Sequence, residues 1–228
     1  MEVQKKKKKY LVKTEMLDQS IYGEKAQADR SINRVLDKPV LFNSEVVRNN
    51  HQEIKDEISI AYQKYCHFVG ENVDPNIMTW KFYSYNLFTL TASNSIFYDL
   101  YLELRNFIRE NISNEKLWMQ SWMNIHDSET LYTEKGLSWH THPWTYHGYI
   151  VVEPKKTITE FGTPEKEILF EIKNEIGNIY FFNGDLWHRV QPLDDSQWDL
   201  NNPRITIGFD INTIENYRET AYSFIPLL

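Results

Sequence analysis

The chain has 228 residues, 41% of them hydrophobic and 14% aromatic, with a formal net charge of -7 at pH 7. This is enough apolar material for a sizeable core in one domain spanning 1–228, and the negative balance disfavours nucleic acid or an anionic membrane as partner. A single cysteine, Cys66, excludes an intramolecular disulfide framework, and no apolar run approaches the roughly 20 residues that span a bilayer.

In chain order, the first elements are helical. Lys5 to Lys9 form a basic run without the apolar segment of a signal peptide, so a solvated tail on a soluble, cytoplasmic protein is expected. Glu53 to Tyr65 places Ile54, Ile58, Ala61 and Tyr65 on one helical face. Met78 to Leu90, rich in Trp, Tyr, Phe and Thr, reads as extended. Ser95 to Glu110 is a second amphipathic helix through Ile96, Leu100, Leu104, Phe107 and Ile108, with Ser93 or Asn94 as its N-cap. Residues 1–117 are thus mainly helical with supporting strands.

From Trp118 onward strands dominate: Trp118 to His126, Leu137 to His142, Gly148 to Val152, Ile168 to Ile172, Asn178 to Phe182, Leu186 to Val190 and Arg204 to Ile211. Asn183-Gly184 signals a type I′ hairpin between the fifth and sixth of these. Helices ahead of seven or so short strands give an α+β fold, its helices packed on the outer face of a curled sheet or barrel. Residues 118–212 form the barrel core and 213–228 a C-terminal extension.

Alternation within the strands assigns faces. Ile205, Ile207, Phe209 and Ile211 share one side of the last strand, and Arg204, Thr206, Gly208 and Asp210 the other. Met123 and Ile125 likewise oppose Trp122, Asn124 and His126, while Ser138, His140 and His142 share a side. Any one strand of this kind could turn its polar side to water. Three that gather His, Asn, Arg and Thr are most economically explained by one polar lumen.

His140 and His142, at i and i+2 on a strand, reach one metal ion from the same side, and His188 from a partner strand completes a facial set with open positions opposite. Alone, His188 would more often be a packed histidine; the upstream pair makes it a ligand candidate. His147 reads as a supporting residue, and His51 and His67 carry no role. Arg204 and Thr206 combine a charged fork with a hydroxyl, a ready anchor for a carboxylate. Trp144, Tyr146 and Trp187 lie near these positions and would wall the mouth or pack in the core. Leu193 to Pro203 is a lid or a long surface connection.

In the order Trp122-Met123-Asn124, His140-Thr141-His142-Pro143, Gly148-Tyr149-Ile150, His188 and Arg204-Ile205-Thr206 with Phe209, the chain resembles the iron(II)- and 2-oxoglutarate-dependent oxygenases of the double-stranded β-helix fold. It is particularly similar to an oxygenase group frequent in phage and marine bacterial sequences that carries a His-x-His-Pro motif. The resemblance covers roughly residues 118–212. It implies a dioxygenase that binds Fe(II), 2-oxoglutarate and O2 and hydroxylates an unidentified substrate with release of succinate and CO2. Iron would be held by His140, His142 and His188, and the co-substrate by Arg204 and Thr206 with Asn124 and His126. The wider superfamily has a carboxylate where this chain has His142. His142 is therefore the third ligand, or it turns toward the substrate and Asp127 or Glu153 takes its place.

Other readings use the same residues less well. A metal cupin normally has a glutamate shortly after its His-x-His pair, and Pro143 to Gly148 holds none. A halogenase needs a small residue where His142 stands. A binding module that keeps the barrel without turnover is the non-enzymatic alternative, and conversion of 2-oxoglutarate to succinate separates the two.

Overall fold

The computed structural model describes residues 36, 39–69, 85–132, 138–213 and 223–227. The lysine run, the Met78 to Ser84 part of the expected strand, and Leu137 lie outside them. No helix among the described residues is long and apolar enough to cross a membrane.

The helical part holds α1 (Glu45–Asn49), α2 (His51–Val69), α3 (Leu87–Leu90), α4 (Ser95–Asn111) and α5 (Ser128–Tyr132). The α2 face is the expected one, with Ile54, Ile58, Ala61 and Tyr65 all buried. In α4 the buried stripe is Phe97, Leu100, Leu104 and Ile108, and Asn94 caps its start by accepting from the Phe97 N–H. The expected extension through Leu90 is corrected at its end. Asn86 accepts from the Phe88 N–H and caps a helical turn, while its amide donates to the carbonyls of Met119 and Ser223. A side chain that satisfies orphan helix donors outweighs the β preference of the residues around it.

The strands are β1 (Val40–Asn43), β2 (Leu117–His126), β3 (Tyr146–Glu153), β4 (Thr157–Gly162), β5 (Ile168–Lys173), β6 (Asn178–Asn183), β7 (Trp187–Pro192), β8 (Arg204–Thr213) and β9 (Ile225–Pro226). They form a six-stranded sheet, β1-β6-β3-β8-β2-β9, and a three-stranded sheet, β5-β4-β7, with every pairing antiparallel. This is the double-stranded β-helix that the resemblance implies, with helices on its outer face as the element order predicts.

One face of the large sheet carries Met119, Met123, Ile150, Val152, Ile179, Phe181, Ile205, Ile207, Phe209 and Ile211 into a core shared with α2 and α4. Ring stacking of Phe42 on Phe107 at 4.8 Å and a hydrogen bond from His51 Nε2 to the Val152 carbonyl at 2.9 Å tie helices to sheet. The opposite face meets the small sheet through Tyr149, Val151, Phe161, Tyr180 and Phe182. Alternation along β3 and β6 thus divides each strand between two cores, while β8 turns Arg204, Thr206, Gly208 and Asp210 away from the helix-side core.

β4 has no counterpart among the predicted strands. Its inward residues include Thr157 and Thr159, both fully buried, which are satisfied by a network with Pro154, Tyr149 and Asn174. A strand that turns threonines inward carries a weak hydrophobic signal.

Asn183-Gly184 is not a hairpin. β6 pairs with β1 and β3, whereas β7 pairs with β4, so this turn carries the chain from one sheet to the other. Among the described glycines only Gly177 has positive φ, so a type I′ turn is absent here. Glycine is needed at 184 for close approach: a Cβ there would collide with the Trp144 carbonyl and lie 2.8 Å from that of His142.

Candidate metal centre

Residues 138–142 form no extended strand. They are held across the mouth between the sheets by a reciprocal backbone pair, His140 with His188, at 3.1 Å in both directions. The His142 N–H then donates to the Gly184 carbonyl at 2.6 Å, and the Gly184 N–H to that of Thr145 at 3.2 Å. Beside His140, the Trp139 ring lies 4.9 Å from the Arg189 guanidinium, which also pairs with Glu160. Two of the three histidines therefore ride on an irregular strap, and the third, His188, is on β7.

The three imidazoles converge. One ring nitrogen of each of His140, His142 and His188 lies within 4.8 Å of the others. His140 Nδ1 lies 2.7 Å from the Ser138 carbonyl, and His188 Nδ1 3.0 Å from that of Leu186. His142 Nδ1 lies 3.1 Å from Asp210 Oδ1. Carbonyls and an ionised carboxylate only accept, so each Nδ1 carries the proton and each Nε2 keeps its lone pair. His142 Nε2 is buried without a partner.

Burial lowers the histidine pKa values: His140 to about 4, aided by His142, and His147 to about 3, with the Asp210 hydrogen bond opposing. His188 is held well below its usual range by burial and by His140, His147 and His142. Neutral imidazoles are the form that binds a metal. Burial works against the Asp210 carboxylate, but the imidazoles of His142 and His147 overcome it and hold the group at about 2.

Behind the three lie His147, which the sequence reads as a supporting residue, and Asp210, to which it gives no role. His147 and Asp210 are directly paired across β3 and β8, with His147 Nδ1 2.7 Å from Asp210 Oδ1. The His147 ring stacks on His142 at 3.4 Å with planes 8° apart, and the Trp122 indole lies near-parallel to both at 5.8–5.9 Å. Gly208 makes room for that indole, since a Cβ there would stand 2.5 Å from its ring. Asp210 was visible in the sequence on the lumen face of β8, two pleats beyond Thr206.

Arg204 faces the same lumen and is 2% exposed. Its Nε has no partner, no acidic side chain pairs with it among the described residues, and burial lowers its pKa to about 10. His126, opposite it on β2, is fully buried with neither ring nitrogen bonded. Burial first, then Arg204, pushes its pKa down to about 3. Asn124 accepts from Trp122 Nε1 at 3.0 Å and donates to Thr206 Oγ1 at 3.3 Å, which sets Thr206 beside Arg204. A lone buried guanidinium next to unsatisfied polar atoms suits an anionic ligand.

Alternatives that the sequence leaves open narrow in the structure. Asp127 caps α5 through Thr130, and Glu153 binds Lys55 and Lys155, so neither carboxylate joins the histidine cluster. Tyr146 points into the helix-side core and Trp144 packs edge-on against Phe224, so these two do not wall the mouth. The Leu193 to Pro203 segment is pinned at several points: Leu193 N–H donates to the Lys156 carbonyl at 2.7 Å, Lys156 pairs with Asp194 and Lys155 with Asn202, Ser128 N–H donates to the Trp198 carbonyl at 3.0 Å, and Trp198 Nε1 donates to that of His126 at 3.2 Å.

No family model matches the sequence, and no curated protein matches it. Among solved structures, IDO from Bacillus thuringiensis is similar over 86% of this chain and 100% of its own, at 10% identity and a TM-score of 0.50. The alpha ketoglutarate dependent epimerase SnoN from nogalamycin biosynthesis aligns over 83% and 84% at 9% identity and 0.45. Acireductone dioxygenase from Bacillus anthracis, with cadmium in its active center, aligns over 82% and 84% at 9% identity and 0.41. At such identities the likeness speaks to fold alone, and the TM-score of the first carries it.

Proposed function

We propose that this protein is an Fe(II)- and 2-oxoglutarate-dependent dioxygenase that hydroxylates a substrate still to be identified. The observation that carries the reading is the pairing of two unfinished sites in one lumen. Three imidazoles have their Nδ1 atoms committed and their Nε2 lone pairs free, and the buried Arg204, on the same side of β8 as Asp210, has no acidic partner among the described residues. Both gaps have the chemistry of the groups proposed to fill them, a divalent metal and a dicarboxylate.

In this reading His140, His142 and His188 hold the iron. Arg204 and Thr206 bind the far carboxylate of 2-oxoglutarate, and Asn124 orients Thr206. His126 stays neutral, and its ring N–H is available to the same anion. When both are bound, the centre couples O2 reduction to decarboxylation of 2-oxoglutarate to succinate and CO2, with one oxygen atom entering a C–H bond of the substrate. The protein's part is to orient these groups and exclude water. Phe161 and Phe182 pack against the His188 ring at 6.1 and 4.9 Å and give that side of the site an apolar wall.

The test is anaerobic titration of Fe(II) and then 2-oxoglutarate, followed by succinate release on admission of air. His188→Ala is expected to lose stoichiometric iron binding with the fold retained. Arg204→Ala removes one partner of a buried charge pair, a loss of about 3–5 kcal/mol, and is expected to weaken 2-oxoglutarate binding about a hundredfold or more. Unchanged 2-oxoglutarate affinity in Arg204→Ala defeats the anchor assignment. Tight binding of both ligands with no succinate formed identifies a non-catalytic binding module instead.

A further inference from the structure

We propose that Asp210 is the positioning carboxylate of this centre, delivering through His142 the negative charge that the wider superfamily places directly on its metal. The inference rests on the proposed three-histidine iron site and deepens it. Three observations support it.

His142 sits on an irregular strap, so no regular strand geometry fixes its ring. His142 Nδ1 is hydrogen-bonded to Asp210 Oδ2 at 3.4 Å, Oδ1 stands 3.1 Å away as an ion-pair contact, and the His147 ring lies 3.4 Å behind at 8°. The imidazole is thereby set in rotation by a carboxylate at its edge and a parallel ring on its face. His147 is itself fixed by the same carboxylate oxygen at 2.7 Å, from the residue directly opposite on the neighbouring strand.

Asp210 is 4% exposed, and its only ion-pair partners among the described residues are these two histidines. A carboxylate buried without Lys or Arg is retained where its charge is used locally. An ionised carboxylate that accepts the Nδ1 proton makes the opposite nitrogen a more basic ligand, the role such groups play in carboxylate–histidine–metal triads.

Of the three converging histidines, His140 and His188 donate to neutral carbonyls, and His142 alone donates to a carboxylate. The one charge-assisted contact falls on the position where the resemblance expects an acidic ligand. The two arrangements put the same unit charge near the metal, here with an imidazole interposed.

The test uses the full-length protein and Zn(II) alone as a diamagnetic probe. Affinity is read by competition with a chromophoric chelator, and ring protonation by NMR of the 15N-histidine-labelled protein. Asp210→Asn keeps the shape and removes the charge. It is expected to weaken Zn(II) binding about 10–100-fold, the range for loss of a ligand's outer partner. It is also expected to change the Nδ1 signal of His142 while those of His140 and His188 stay, a pattern that general loosening of the fold would not give. Asp210→Glu, which restores the charge, is expected to recover affinity above that of Asp210→Asn. The wild-type protein supplies an arm free of any folding defect: in the Zn(II) form, the His142 Nδ1 proton should show a nuclear Overhauser contact to the His147 ring. Unaltered Zn(II) affinity in Asp210→Asn, or no such contact in the wild type, overturns the role of Asp210 alone. Failure of the wild type to bind Zn(II) overturns the metal site and this inference together.

Discussion

His126 carries an unusual burden: a fully buried imidazole with no hydrogen bond, next to a buried cation. Its pKa is lowered from 6.5 to about 3 in the folded protein, so the unfolded chain takes up a proton that the native state refuses. The stability tied to this group is complete above pH 6.5 and is lost as pH falls from there toward 3. The slope contributed by one such group is at most about 1.4 kcal/mol per pH unit. Urea unfolding of metal-free protein across this range is expected to show the loss, with a shallower slope in His126→Gln. An identical slope in that variant would show that His126 does not set acid sensitivity. Much at this scale was legible in sequence, because strand alternation placed Arg204, Thr206, Asp210, Asn124 and His126 on one side. The Asp210 link to two histidines was not legible, since it joins residues 68 and 63 positions apart and depends on strand register.

At the scale of elements, the predicted β-strands hold where inward residues are apolar and fail where they are not. β4 was missed because Thr157 and Thr159 face inward, and residues 138–142 were read as a strand because Ser-x-His-x-His alternates. Polar alternation there has another cause: the strap carries ligand candidates, not a pleated face. Gly184 is the point that lets this strap approach the sheet corner. Gly184→Ala places a methyl group against the carbonyls of His142 and Trp144 and is expected to weaken metal binding several-fold, as the segment must shift to relieve the overlap. The thermal transition of the metal-free variant should remain cooperative. Metal affinity equal to wild type would mean that the corner has slack to absorb a methyl group.

For the whole molecule, the lumen lies between two unequal sheets, and among the described residues the larger is backed by α2 and α4. Its β8 residues are therefore anchored on both sides, through Ile205, Ile207, Phe209 and Ile211 to the helices and through the sheet to β2 and β3. The small sheet meets the short α5 at β7, and Ile168 and Leu169 on its outer strand β5 are largely exposed. The outline of this architecture followed from the order of helices and strands. The partition into six and three did not, because pairing between strands distant in sequence leaves no local mark.

The strap has a consequence in time. Two of the proposed ligands leave together if residues 138–142 lift, while His188 stays on β7, so metal exchange needs only a local opening and not unfolding. The rate of that opening is set by the few bonds that close the strap: the His140–His188 backbone pair, the His142–Gly184 bond and the Trp139–Arg189 contact. Extraction of metal by a chelator is therefore expected to reach a rate that no longer rises with chelator concentration. Trp139→Leu, which removes the ring contact and keeps the Arg189–Glu160 pair, should raise that plateau while global stability changes little. Extraction that stays proportional to chelator at every concentration would place the exit route elsewhere. With a plateau, the strap is a clock as well as a ligand carrier, fixing how long the protein remains loaded once its metal supply ends.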